Sequence, residues 1–183
     1  MSDEGKPIQP EHAIKKVIWR GSVSVGSTLE TATTWSITGV AAITALLISN
    51  LHSMLTVVAI GRVRIVVILL TTSILMGAVS KVIGMALTAG LKTVRELEDT
   101  FGTEQYQRLM GQATIAPRQL VKELAEPYVW PLSILTRRSG ERGLTDYLSA
   151  DRSFVRLFCI QLYFNGLHGL CAVAALLTLA FSL

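Results

Sequence analysis

Three stretches of the chain, residues 31–60, 65–80 and 157–183, contain no Asp, Glu, Lys or Arg, and the second resumes beyond Lys81 as far as Gly90. A hydrocarbon core about 30 Å thick is crossed by about 20 helical residues, so each stretch is long enough to span it. A soluble fold would need polar sequence to cover three such helices, and 183 residues leave too little. The pattern predicts an all-α integral membrane protein with three transmembrane helices, a long hairpin plus a C-terminal span. A basic N-terminal amphipathic helix and a cytoplasmic helical segment complete it.

Residues 1–27 are expected to form the N-terminal cytoplasmic or interfacial segment, with Pro10 starting a short helix that carries Ala13, Ile14, Val17 and Ile18 on one face. Trp19 lies at the edge of that face. "SVGST" reads as a hinge, and "STLE" (27–30) matches a capping box with Ser27 as N-cap and Glu30 as its reciprocal partner. The first span is then 28–60, and "GRVR" (61–64) makes a tight turn into the second, 65–91, which extends into water to about residue 101 and stops at Gly102. No apolar stretch before a cleavage site precedes the first span, which is expected to act as an uncleaved signal.

Residues 92–153 form the one large polar segment, with nine basic and nine acidic side chains in balance. Short helices are expected over 103–110 and 116–127. "YVWPLSIL" (128–135) is too short to span, and its Tyr128 and Trp130 suit a bilayer interface or a docking surface. "TRRSGERG" (136–143) reads as an exposed loop, and Thr145 as the N-cap of a helix leading into the third span, 154–183.

Lysine and arginine set the orientation. Four precede the first span, nine follow the second, and two lie in the hairpin turn. The positive-inside rule places the N-terminus and residues 92–153 in the cytoplasm, in what reads as a bacterial inner membrane. The net charge of +4 therefore reflects topology, and no basic stripe with interleaved aromatics points to nucleic acid. Cys159 and Cys171 are twelve residues apart in one apolar run, with no metal-ligand spacing.

Two apolar segments each carry Asn and His: Asn50 and His52 with Ser53, and Asn165 with His168. On the predicted spans, His52 lies about 12 Å from its helix end and Asn165 and His168 about 15–20 Å from theirs, so the two sets are expected at a similar depth as an intramembrane polar cluster. Small residues recur on the second span at Ser73, Gly77, Ser80, Gly84 and Thr88, on the first at Ala42, Ala45 and Ser49, and on the third at Gly169 and Ala172. Such stripes let helices approach closely, and the Asn, His and Ser side chains then bond across them. Lys81 is expected to snorkel to the cytoplasmic interface.

The expected function is non-enzymatic: a small inner-membrane subunit of a larger assembly of the secretion, conjugation or transport type, with the lipid bilayer and other membrane subunits or copies of itself as partners and no cofactor or metal. The alternative is a homo-oligomeric pore using the Asn/His cluster, because histidine titrates near neutral pH. A membrane enzyme built on Ser53 or Ser80 with His168 comes third. There is no GxSxG, P-loop, GxGxxG or HExxH in the chain.

Overall fold

The computed structural model describes residues 10–181 apart from 57, 105–107, 109–115, 131 and 147, and contains no strand among them. Its helices are α1 (Pro10–Ser24), α2 (Gly26–Ser49), α3 (Leu51–Leu55), α4 (Ile60–Phe101), α5 (Pro117–Ala125), α6 (Leu132–Thr145) and α7 (Ser149–Ala180). Three helices are long and apolar enough to cross a membrane: Ile14–Ser49, which runs through α1 and α2, Ile60–Thr100 and Ser149–Ala180. The helix expected over 103–110 falls largely outside the described residues.

The junction at 22–28 stays helical. Val25 keeps helical dihedrals (φ −65°, ψ −19°). The Ser27 hydroxyl donates back to the Ser24 carbonyl at 3.1 Å. A capping box needs an extended N-cap, so the one expected at Ser27 and Glu30 does not form.

The chain divides into two compact units, residues 24–88 with 156–183, and residues 1–23 with 89–155. The first is a three-helix bundle. Its buried positions on α2 are Gly26, Thr33, Val40 and Leu47, each seven residues after the last. On α4 they are Val63, Val66, Leu70, Ser73, Gly77, Ser80, Gly84 and Leu87, alternating steps of three and four. On α7 they are Gln161, His168 and Ala175, again seven apart. A repeat of 3.5 keeps each seam facing its neighbours and implies coiled-coil-like packing. One end of the seam is apolar, with Val40, Leu47, Val66, Leu70 and Ala175 at its core.

The first span ends earlier than its sequence suggests. Asn50 (φ −104°, ψ 17°) caps α2, and its side-chain amide donates to the Leu46 carbonyl at 2.8 Å. That local bond competes with helix continuation. The one-turn α3 and residues 56–59 then lead into α4, which starts before the expected Ile65 and runs to Phe101 as one helix. Across the bundle's far end, Arg62 donates to the Phe181 carbonyl at 2.9 Å and satisfies a C-terminal carbonyl of α7.

In the second unit an ion-pair cluster joins α1, the end of α4 and the start of α7. Arg20 Nε donates to Asp151 at 2.8 Å, Arg20 Nη2 to Glu98 at 2.9 Å, and Lys16 Nζ to Glu98 at 2.6 Å. α4 is 42 residues long, or about 63 Å, twice a bilayer core, so Glu98, seven residues past Leu91, lies on its charged extension. The Arg20 guanidinium, with Lys16 second, holds the Glu98 carboxyl well below its ordinary 4.5, at about 2. α1 leaves Ile14, Val17 and Ile18 exposed.

Residues 136–143 are not a loop; they lie inside α6. A Cβ on Gly140 would come within 2.6 Å of Val121 Cγ1, so the glycine lets α5 and α6 close up. Arg137 and Glu141 add an i,i+4 pair at 2.9 Å. Thr145 ends α6 instead of capping the next helix. The turn into α7 is made by Asp146, whose carboxylate accepts from Leu148 N–H at 3.0 Å.

Candidate functional site

The buried polar side chains of the bundle gather in one seam. On α7, Gln161, Asn165 and His168 follow at steps of four and three and so share a face. Opposite them stand Glu30, Thr33 and Ser36 of α2, and Ser73, Gly77, Ser80 and Gly84 of α4.

His168 is 1% exposed and bonds both neighbouring helices. Its Nδ1 lies 2.8 Å from the Ser73 carbonyl oxygen and 2.8 Å from the Ser73 hydroxyl. Its Nε2 lies 2.7 Å from the Ser36 hydroxyl. The Ser73 hydroxyl reaches the His168 carbonyl at 2.9 Å. A carbonyl only accepts, so Nδ1 must carry the proton it donates to Ser73. With that proton on Nδ1, Nε2 can accept from Ser36, and the Ser73 hydroxyl donates to His168 O. Every group is satisfied in this arrangement.

One turn away, the Thr33 hydroxyl lies 2.7 Å from the Leu29 carbonyl and 2.8 Å from Asn165 Oδ1. One hydroxyl proton serves one acceptor. Turning the Asn165 amide by half a turn lets its NH2 donate to Thr33 while Thr33 donates to Leu29. Next comes Gln161, fully buried. Its Nε2 faces the Gly26 carbonyl at 3.5 Å, its backbone carbonyl accepts from Ser80 at 3.1 Å, and its Oε1 has no hydrogen-bond partner among the described residues.

Glycine makes room for these side chains. A Cβ on Gly77 would lie 2.6 Å from Ile37 Cγ1 and 3.1 Å from His168 Nδ1, and one on Gly84 would lie 2.6 Å from Gln161 Nε2. The small residues Ser73, Gly77, Ser80 and Gly84 thus face the bundle interior. Thr88 is exposed, and Leu87 takes the next inward place.

Ser36, His168 and the Ser73 carbonyl stand in the relation of nucleophile, base and orienting group. Ser36 lies inside the continuous helix α2, whose backbone N–H groups already donate to carbonyls four residues earlier. Ser80 bonds the Gln161 carbonyl, and Ser53 is exposed beyond α2, so neither pairs with His168.

The expected five-residue cluster is split. Asn165 and His168 lie within the bundle; Asn50, His52 and Ser53 are exposed in the connection after α2 and do not join them. The early end of α2 at Asn50 is the cause. Ala42, Ala45 and Ser49 also point outward, because the bundle uses the face carrying Thr33, Val40 and Leu47. Gly169 has open space beyond its Cα, while Ala172 borders the apolar core. Trp19 and Lys81 are half-exposed, and Tyr128 and Trp130 are exposed. Thr33, Ser36 and Gln161 were missed, although Thr33 and Gln161 belong to the seven-residue spacings.

Among the described residues no group of three His, Cys, Asp or Glu side chains could hold a metal ion. A groove of about 580 Å³ lies between α5 and α6, lined by residues of both charges, including Lys122, Glu123 and Arg137. No protein-family model, curated protein or solved structure matches the chain.

Proposed function

We propose that the three long helices cross a membrane, with the N-terminus and residues 92–153 in the cytoplasm of a bacterial cell, and that the protein is a non-enzymatic subunit of a larger membrane assembly of the secretion, conjugation or transport type. The observation that carries this reading is the outward face of α2. Thr38, Ala42, Ala45 and Ser49, at steps of four, three and four, are all exposed. Gly39 beside them has nothing within 4 Å of a Cβ position. Within a bilayer, hydrophobicity alone does not draw helices together, and small outward residues let a partner backbone approach closely. The opposite face of α2 is already used inside the bundle. Lysine and arginine numbers support the orientation.

The polar seam suits helix packing better than conduction. His168 and Asn165 are bonded within one protomer, and the seam turns apolar beyond His168 at Val40, Leu70 and Ala175. A homo-oligomeric pore would instead have to run between copies.

Extraction from the native membrane in mild detergent, followed by measurement of the complex's mass and composition, tests the proposal. Other membrane proteins in fixed ratio support it. A lone protomer contradicts it.

A further inference from the structure

The turn between α5 and α6 presents three consecutive large side chains to the outside. Tyr128 is 51% exposed, Val129 76% and Trp130 78%. Exposure of this kind on a convex tip does not match a protein groove, but it matches the interface of a bilayer. There, Tyr and Trp place their rings among the acyl chains and their polar ends among the headgroups.

Three further observations point the same way. Two backbone donors at the tip are satisfied locally, Tyr128 N–H by the Ala125 carbonyl and Ser133 N–H by the Val129 carbonyl, both at 3.3 Å. The tip can therefore leave water without stranding these donors. Close packing of Gly140 against Val121 joins the two helices that carry the tip. From Pro117 to Thr145 the hairpin carries five basic residues (Arg118, Lys122, Arg137, Arg138, Arg142) and three acidic ones (Glu123, Glu126, Glu141), a net charge of +2 that suits an anionic leaflet.

The bilayer is also within reach along the chain. Only Asp146–Leu148 separate α6 from α7. α6 has 14 residues, a length of about 21 Å, and the last charge of α7, Arg156, lies seven residues (about 10 Å) past its start.

We infer that the Tyr128–Val129–Trp130 tip inserts into the lipid interface of the membrane that the long helices cross. This rests on the membrane reading above, and the test separates the two. Two single-tryptophan proteins are reconstituted in phosphatidylcholine/phosphatidylglycerol vesicles, one keeping Trp130 (Trp19→Phe, Trp35→Phe) and one keeping Trp35 (Trp19→Phe, Trp130→Phe). Trp35 is 75% exposed on α2 and reports on the span. Quenching by lipids brominated in the acyl chain is compared with quenching by aqueous acrylamide. The expected result is that Trp130 loses emission to brominated lipid by a factor comparable with Trp35 and is protected from acrylamide. A Val129→Asp change should then return Trp130 to acrylamide with helix content unchanged. If Trp35 is quenched by brominated lipid while Trp130 answers only to acrylamide, the inference is overturned and the tip is left for a protein partner. If neither responds to brominated lipid, the membrane reading falls with it.

Discussion

Ser73 and His168 are joined in both directions: the His168 ring nitrogen Nδ1 lies 2.8 Å from the Ser73 carbonyl oxygen, and the Ser73 hydroxyl lies 2.9 Å from the His168 carbonyl oxygen. With Ser36 on the far ring nitrogen, one imidazole ties α7 to both α4 and α2. This reciprocal pairing fixes the register of three helices that would otherwise slide along similar apolar surfaces.

Replacing His168 with Leu should lower protomer stability by about 1–2 kcal/mol, because interhelical hydrogen bonds in membranes average about 0.6 kcal/mol and both the Ser73 carbonyl and the Ser36 hydroxyl lose their bond to the ring. Ser36→Ala alone should cost about 0.6 kcal/mol or less. A double-mutant cycle on Ser36 and His168 in reversible detergent unfolding should show coupling. Strict additivity would mean the bond is not formed.

Gly84→Ala and Gly77→Ala should each destabilise by about 1–3 kcal/mol, since the new methyl would meet Gln161 and Ile37 respectively at 2.6 Å. Gly39→Ala and Gly166→Ala face open space, and should be neutral or stabilising by up to about 1 kcal/mol through helix propensity. Thermal melting of the four variants checks the contrast.

These glycines also show what the sequence can reveal. The stripe Ser73–Gly77–Ser80–Gly84 was legible because small residues stand out among Leu, Ile and Val at steps of three and four. On α2 the small residues Ala42, Ala45 and Ser49 lie on the exposed face, and the inward face mixes Gly26, Thr33, Val40 and Leu47. A helix apolar all round gives no hydrophobic direction, so only its partners decide. Asn50 in its uncharged run suggests an intramembrane polar group, because nothing in that run announces that its amide turns back on Leu46 and ends the helix. In α6 two glycines suggest a loop, yet the stretch is helical, and Gly140 lies where α6 packs against Val121.

Arg20→Leu should be more damaging than Glu98→Gln. Asp151 is 3% exposed and Arg20 is its ion-pair partner; stranding a buried charge costs about 3–5 kcal/mol. Proteolysis of the solubilised protein should show the region around 89–101 opening in the Arg20 variant. An Arg20→Leu, Asp151→Leu double variant should recover much of the loss.

Acid should weaken the same cluster. The Glu98 carboxyl sits at about 2 when folded against an ordinary 4.5, so its contribution is complete above about pH 4.5 and is lost as the pH falls toward 2. Glu98→Gln should remove part of the drop in melting temperature across that window and leave the rest of the pH profile unchanged.

The mass of the detergent-extracted complex, compared for wild type, Ala42→Leu with Ala45→Leu, and His168→Leu, addresses the division between inner and outer faces most directly. The outer-face variant should fall to a smaller particle while its own melting is unchanged. His168→Leu should melt earlier yet keep partners under native conditions. A wild-type particle no larger than one protomer, or an outer-face variant that stays in the full complex, would contradict the assignment of α2's outward face to assembly.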